Sequence, residues 1–391
     1  MIEEMTFYAP VKILAGPGES RKPEEWMASF SAKKILLLTG RHVAKTEGFL
    51  KIIEALEDKQ IPYEVFSECL PEPPAELVDE LAERVRKSDI DLVAAVGGGS
   101  PMDTAKAVCM LKTNEGSIKE YLFGGSRTPV NPSIPLICIP TTAGSGSEVS
   151  CASVIEDRQR QIKLSCTHPN LYPKLAILDP LMQLDMPKSV TAGTGMDALT
   201  HAIESFTSKH ASLISRMYAK EAIRLIGQHL PIVMKEPENV ESRMQMAIAS
   251  SLAAVAMANG GLGAVHGISQ AMGGIAHTPH GMTNAILLPK VMAYNRKGAP
   301  EKFAEIAEAL GVEIKGMTAE NAAIEAEKRV KELAKEIGIP DTLDDFGVTR
   351  EMFPKIVEGT MDYRLLWMNP LTFTEEMAYQ ILEESLSAEE A

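Results

Sequence analysis

Short apolar runs alternate with amphipathic stretches through the first half of the chain. The runs are rich in Val, Ile and Leu and are bounded by Gly, Pro or charged residues, which is typical of buried strands. We expect a strand or hairpin at 6–15, and strands at 34–39, 62–66, 91–96, 134–139, 152–156 and 175–178. Helical periodicity lies between them at 46–59 and 75–87. Strands that alternate with helices predict a parallel sheet covered on both faces.

The pattern changes near residue 187. Strand signals end there, and helical periodicity continues, with frequent Ala and Met, at 212–229, 241–258, 300–310 and 318–336. We therefore divide the chain into an α/β domain at residues 1–187 and an all-helical domain at residues 188–391.

Composition narrows the class of protein. The chain has 391 residues, of which 45% are hydrophobic and 24% charged, as in globular enzymes, and its net charge of −14 argues against nucleic acid or an anionic membrane as partner. The five cysteines are odd in number and form no C-x-x-C, which fits a reducing compartment, so we expect a cytoplasmic protein. Neither a signal peptide nor a run of ~18 apolar residues is evident, and we expect no membrane span.

Four side chains with metal-ligating atoms stand out in the second half. Asp197 and His201 are four residues apart with no helix breaker between them, so they share one helix face. Between His266 and His280, Pro279 and the pair Gly273-Gly274 prevent one straight helix, and we expect the chain to fold back there. One carboxylate and three imidazoles suit Fe²⁺ or Zn²⁺ and leave room for a substrate oxygen. Any one of these histidines alone could equally be an ordinary surface or core residue.

Two loops in the first half have the composition of phosphate-binding segments. Gly97-Gly98-Gly99-Ser100 follows the strand at 91–96, and its glycines let a pyrophosphate approach the backbone and the N-terminus of the next helix. Ser100 suits the N-cap of that helix, Pro101 its first position, and Asp103 a capping box. A tight turn is the alternative, because the pattern is neither G-x-G-x-x-G nor a P-loop.

The second loop follows the strand at 134–139 and begins with Thr141 and Thr142. Its small hydroxyl side chains, including Ser145, can donate to and accept from a ribose, a phosphate or a carboxamide. A flexible polar connection is the alternative.

These motifs together resemble the iron-containing, or group III, alcohol dehydrogenases. GMDALTHAIES and HGISQAMGGIAHTPHGMTNAILLP are similar to that family's two metal-binding signatures, and AVGGGSPMDTAKAV and IPTTAGSGSEVS are similar to its cofactor loops. The similarity extends from about Tyr8 to about Asn295.

The resemblance implies a dehydroquinate synthase-like architecture, with a Rossmann-like dinucleotide-binding domain at 1–187 and an all-helical metal-binding domain at 188–391. It implies metal ligands at Asp197, His201, His266 and His280. It implies cofactor contacts at Gly97, Gly98, Gly99, Ser100, Asp103, Thr141, Thr142, Ser145 and Lys163, although a lysine in a polar stretch is often only solvated. In that family the region at 6–15 often joins a partner subunit, so we expect a homo-oligomer, a dimer or higher.

The implied activity is reversible hydride transfer between a small primary alcohol and a nicotinamide cofactor, which yields an aldehyde. The metal would polarise the substrate oxygen, with His280 as a ligand at the catalytic centre. Many relatives carry a second His where this chain has Gln270, which cannot titrate. We therefore expect proton exchange through cofactor hydroxyls, water or His277, whose alternative role is support of the metal site.

The residues after the strand at 34–39 bear on the choice of cofactor. Members of the family that prefer NAD often have Asp directly after that strand, where it binds the ribose and repels a 2′-phosphate. This chain has Gly40 and Arg41, which remove the acceptor and add a cation, so we expect NADP(H) to be favoured over NAD(H). The alternative is that Gly40 only turns the chain and Arg41 is solvated.

Other functions on the same scaffold stay open at this point. They are a zinc-dependent polyol or polyol-phosphate dehydrogenase and a dehydroquinate synthase-like lyase. The lyase would need more Lys and Arg around the metal than the stretch 260–267 supplies. A metal-dependent hydrolase would have no use for the loop at 97–100, and a non-catalytic nucleotide-binding subunit would not need four metal ligands.

Overall fold

The computed structural model describes residues 5–160 and 162–387. The chain forms two compact units, one of residues Ala9–Met186 and one that starts at Pro187 and includes the described N-terminal residues up to Tyr8. Tyr8 joins the second unit because its N–H donates to Asn259 Oδ1 at 2.7 Å and its carbonyl accepts from Asn259 Nδ2 at 3.1 Å. The predicted α/β domain had included these first residues.

The first unit is built on a sheet of six parallel strands. The strands of this unit are β1 (Lys12–Ala15), β2 (Ile35–Leu38), β3 (Tyr63–Phe66), β4 (Leu92–Gly97), β5 (Leu136–Pro140), β6 (Ala152–Asp157), β7 (Ile162–Thr167) and β8 (Leu175–Leu178). The sheet order is β1-β8-β5-β4-β2-β3, and β6 and β7 form a separate antiparallel pair. The chain reverses its direction across the sheet between β2 and β4, and ligands of open α/β sheets bind at such a switch point.

Helices cover both faces of this sheet, as the alternation predicted. They are α1 (Pro23–Phe30), α2 (Glu47–Asp58), α3 (Ala75–Arg86) and α4 (Gly99–Leu111). Successive residues of a strand point to opposite faces of the sheet. Leu36 and Leu38 lie in the core on the face covered by α3 and α4, and Ile35 and Leu37 lie in the core on the face covered by α1 and α2. All four are fully buried, which explains a continuous apolar run.

The second unit is helical throughout its described part. Its helices are α5 (Lys188–Thr207), α6 (Leu213–Lys235), α7 (Val240–Gly260), α8 (Ala264–Ala276), α9 (His280–Asn295), α10 (Pro300–Ala309), α11 (Ala319–Glu336), α12 (Phe353–Met361) and α13 (Glu375–Glu383). α5 is buried over most of its length and packs against α6, α7 and α9, while α8 packs against α9 and α12. An α/β first half and a helical second half confirm the predicted fold class.

Local details differ from the sequence prediction. The first strand begins only at Lys12, and α1 and β7 were not predicted. The helix after the glycine loop begins at Gly99 with Gly98 as its N-cap, so the predicted Ser100 cap is wrong. The capping box with Asp103 is also wrong, because Asp103 accepts hydrogen bonds from Ser147 and from the Val154 N–H instead.

Among the described residues, no single helix is both long and apolar enough to cross a membrane. The pair α7 and α8 reaches that length and composition only together, across a bend of 100°.

Candidate active site

The helix α5 presents three functional side chains on one face. Asp197, His201 and Glu204 follow the i, i+4, i+7 spacing that aligns side chains along a helix. All three are almost fully buried, with 6%, 5% and 4% of their surface exposed. Buried polar side chains at this spacing need partners, and the helices α8 and α9 supply them.

The four predicted metal ligands converge. Asp197 Oδ1 lies 3.8 Å from His201 Nε2, 3.7 Å from His266 Nε2 and 3.6 Å from His280 Nε2. The ligand atoms of the first three residues also lie within 4.8 Å of one another, close enough to share one ion. The chain folds back between His266 on α8 and His280 on α9, with the break next to Pro279 as predicted. The predicted interruption at Gly273-Gly274 is wrong, because α8 continues through both glycines to Ala276.

Gly281 allows α9 to approach α5 at this point. A Cβ on Gly281, the residue after His280, would overlap the backbone carbonyl of Gly193, which lies one helical turn before Asp197. Glycine at position 281 therefore lets the backbones come into contact and brings the start of α9 to the Asp197 face of α5.

Glu204 orients His266. Its Oε2 lies 2.7 Å from His266 Nδ1, and its Oε1 accepts a 2.7 Å hydrogen bond from the Val265 N–H. Because Nδ1 donates its proton to this carboxylate, the lone pair of Nε2 is left to face Asp197. Sequence reasoning missed Glu204, although its place three residues after His201 puts it on the same helix face.

The imidazoles of the cluster lower the pKa of Asp197. Burial by itself raises the pKa of Asp197, but the interactions with His201, His266 and His280 outweigh it and hold this pKa well below its usual range. Asp197 is therefore a carboxylate, the form that binds cations.

Asn284, one turn after His280 on α9, lies among these ligands. Its Nδ2 is 2.8 Å from Asp197 Oδ1, 3.3 Å from His266 Nε2 and 3.2 Å from His280 Nε2. Three acceptor atoms thus converge on a donor group of partial positive charge, which is the electrostatic environment that a cation requires. The donor types and their convergence fit a first-row divalent metal. The i, i+4 spacing from His280 could have predicted this residue.

His277 is not part of this cluster. It ends α8 in the left-handed conformation, with a φ of 52°, and its side chain is exposed. Gln270 is exposed as well. The proton-exchange role of His277 stays a prediction.

The two cofactor loops lie side by side in the first unit. Gly97 ends β4 opposite Pro140, which ends β5, and the Thr141 N–H donates to the Gly97 carbonyl at 2.9 Å. A Cβ on Gly98 would lie 3.3 Å from Thr142 Oγ1, and one on Gly99 would lie 3.2 Å from Ser145 Oγ. The glycines are therefore needed for the close approach of the second loop.

The N-terminus of α4 lies in the first loop and next to the second. No side chain of the described residues caps the first turn of this helix, which begins at Gly99. Its N–H groups can therefore donate to an anion, and glycine leaves the backbone accessible. This arrangement fits a pyrophosphate.

Asp103 and Lys106, both on α4, connect this helix to the segment that follows the second loop. The Lys106 side chain is fully buried and donates to Ser147 Oγ at 2.7 Å and to Ser150 Oγ at 3.2 Å, with Asp103 Oδ1 3.7 Å away. Burial raises the pKa of Asp103, and the Lys106 charge lowers it in part. Both side chains are engaged within the protein, so Asp103 holds the second loop against α4. Sequence reasoning missed Lys106.

Lys163 lies on β7 and pairs with Glu72 at 2.5 Å. The Glu72 N–H donates to Ser100 Oγ at 3.3 Å, so the pair adjoins the start of α4. Ser100 thus supports a neighbouring turn.

Gly40 follows β2 at the switch point of the sheet. A Cβ there would lie 3.5 Å from the Cys69 carbonyl, an ordinary contact, so larger residues fit. Arg41 is 75% exposed and forms an ion pair with Glu68. Glu68, which sequence reasoning missed, places a carboxylate near the position where Asp is absent.

Comparison with known proteins shows the family to which this chain belongs. The model of the iron-containing alcohol dehydrogenase family matches residues 10–180, and that of the C-terminal part of the Fe-containing alcohol dehydrogenase family matches residues 191–386. The chain belongs to the iron-containing alcohol dehydrogenase family. It is therefore an oxidoreductase of the alcohol dehydrogenase class, acting on alcohols or aldehydes.

The chain is similar over its length to characterised relatives. It is 37% identical to the choline dehydrogenase of Bacillus subtilis (strain 168) over 95% of this chain and 92% of that one. It is 32% identical to the NAD-dependent methanol dehydrogenase of Bacillus methanolicus, over 97% and 99% respectively. A solved structure of 1,3-propanediol oxidoreductase superposes with a TM-score of 0.94 at 34% identity, covering 98% of this chain and 100% of that one.

Proposed function

We propose that the protein is a metal-dependent alcohol dehydrogenase that interconverts small primary alcohols and aldehydes with a nicotinamide cofactor. The observation that carries the proposal is the convergence of Asp197, His201, His266 and His280 around one point. Family membership makes Fe²⁺ the proposed native ion, with Zn²⁺ as a substitute.

A bound Fe²⁺ would supply Lewis acidity to the substrate oxygen, and the nicotinamide would exchange the hydride. The side chains of this site would orient the ligands, supply a negative charge and leave room for the substrate. Glu204 orients the His266 ring, and Asp197 stays ionised, so the donor set offers one negative charge. His280 is the most exposed of the four, with 44% of its side chain accessible, which leaves an open side for substrate.

The first unit would bind the cofactor. The first-turn N–H groups of α4 would donate to its pyrophosphate, while Thr141, Thr142 and Ser145 would contact its other polar groups. Lys106 and Asp103 would hold the second loop in position for this. Proton exchange would use water, a cofactor hydroxyl or His277, because Gln270 cannot titrate.

We propose a preference for NADP(H). The open space at Gly40 and the exposed Arg41 favour a 2′-phosphate. Glu68 opposes it, because its carboxylate pairs with Arg41 and would repel the phosphate. The NAD-dependent relative shows that NAD use occurs in the family.

A cytoplasmic location and a homo-oligomeric assembly belong to the same proposal. All five cysteines are free thiols, which supports a reducing compartment. The oligomeric state is testable by light scattering of the purified protein.

The deciding experiment is a screen of alcohols and aldehydes with NAD(H) and NADP(H), followed at 340 nm on protein of measured metal content. We expect turnover that His266→Ala abolishes. His210→Ala is the matched control, because His210 contacts Trp367 elsewhere in the helical unit. Metal-loaded protein that turns over no member of the panel would argue against the proposal.

A further inference from the structure

Asn284 occupies a position that the proposed metal site does not explain. It is fully buried, and its Nδ2 group, which carries two hydrogens, faces three acceptors of the donor set at 2.8–3.3 Å. Its Oδ1 is buried without a hydrogen-bond partner among the described residues. The amide is therefore oriented by the donor set alone.

The acceptors of Asn284 are the atoms that would bind the metal. His266 Nε2 has a single lone pair, since its Nδ1 donates to Glu204. That lone pair can accept from Asn284 or bind a cation, but it cannot do both. Asp197 Oδ1 has a second lone pair and can keep its bond to the amide. Ion binding must therefore break hydrogen bonds between Asn284 and the imidazoles.

We infer that Asn284 competes with the divalent ion for its ligands. This inference rests on the proposed metal site. In ion-free protein the amide holds Asp197, His266 and His280 together, and it releases the two imidazoles when the ion binds. Asn284 thereby weakens equilibrium ion affinity and makes the ion exchangeable. It is a positioning residue, which acts through the ligands.

The test is the affinity of metal-stripped protein for Zn²⁺ alone, measured by competition with a chromophoric chelator. Asn284→Leu keeps the side-chain volume and removes the amide. We expect its Zn²⁺ dissociation constant to fall about tenfold, because hydrogen bonds lost on binding no longer oppose the ion. The thermal midpoint of the ion-free protein should fall more than that of the Zn²⁺-loaded protein.

Asn295→Leu is the matched control. Asn295 is a buried asparagine on the same helix, and its amide exchanges hydrogen bonds with Asn369 instead of with the donor set. We expect it to lower the thermal midpoints of the ion-free and loaded forms equally and to leave the Zn²⁺ affinity unchanged.

An Asn284→Leu protein that binds Zn²⁺ as tightly as wild type, or more weakly, would overturn the inference. Asn284→Ala carries the same expectation if the leucine variant does not fold. A wild type that binds no Zn²⁺ would instead overturn the proposed metal site, and the inference with it.

Discussion

The carboxylate of Glu204 lies 2.7 Å from the Nδ1 of His266, although 62 residues separate them along the chain. This bond selects the imidazole tautomer whose Nε2 lone pair faces Asp197. Removal of such an orienting partner usually weakens metal affinity by about 10–100-fold. We expect Glu204→Gln to fall in this range, measured as the Zn²⁺ dissociation constant.

Glu221→Gln serves as the control for that experiment. Glu221 pairs with Arg224 on the surface of α6, so its loss should leave Zn²⁺ affinity unchanged. Equal affinity in Glu204→Gln and wild type would contradict the orienting role.

His280 is a proposed metal ligand, and His277, three residues before it, lies outside the cluster. His277 is therefore a matched control for His280. We expect His280→Ala to lose most of its bound metal, since one of four donor atoms is removed, and His277→Ala to retain it. Elemental analysis of the purified variants measures both. Full metal occupancy in His280→Ala and in His266→Ala would refute the ligand assignment.

Cofactor choice should respond in opposite directions to two substitutions. Gly40→Asp adds a ribose acceptor and a charge that repels a 2′-phosphate, so kcat/KM should shift about tenfold toward NAD(H), a change of ~1.4 kcal/mol. Glu68→Gln removes the competing carboxylate from Arg41 and should shift the ratio toward NADP(H). A wild type that clearly prefers NADH, or an unchanged ratio in Gly40→Asp, would reject the proposal.

The loops at 97–100 and 141–145 lie close together, so we expect Gly99→Val to impair cofactor binding. Its side chain would press on Ser145, whose Oγ lies 3.2 Å from the position of a Cβ. Overpacking of this kind costs ~1–3 kcal/mol, so the dissociation constant of the preferred cofactor should rise about tenfold or more. Fluorescence titration measures it. Zn²⁺ affinity should stay at the wild-type value, and normal cofactor binding would show that the loops do not form the site.

Buried Lys106 should contribute strongly to stability. Lys106→Met would leave the Asp103 carboxylate, which is 13% exposed, without its neighbouring cation. Loss of one member of a buried ion pair costs ~3–5 kcal/mol. We expect a clear fall in the thermal midpoint. Lys59→Met is the control, because the Lys59–Glu24 pair is exposed and should contribute less than ~1 kcal/mol. Equal midpoints for the two variants would contradict the role of Lys106.

Local patterns in the sequence predicted the fold class and the candidate metal ligands. The run at Ile35–Leu38 predicted a buried strand because both faces of a parallel strand are covered. The spacing of Asp197 and His201 predicted a shared helix face because helical geometry is set by the backbone. Pro279 likewise predicted the break between α8 and α9. Each of these inferences depends on neighbours within a few residues, so the sequence alone contains it.

Tertiary structure decided which polar side chains meet. The partners Glu204 and His266, Asn284 and Asp197, and Lys106 and Ser147 are 41 to 87 residues apart. Their contacts depend on how closely helices and loops approach, for example where Gly281 meets Gly193. The sequence also did not indicate in which direction these side chains point. Asp103 points toward the second loop, and His277 is exposed to solvent. No local spacing specifies these outcomes, because hydrogen bonding between distant elements is satisfied only after the whole unit has packed.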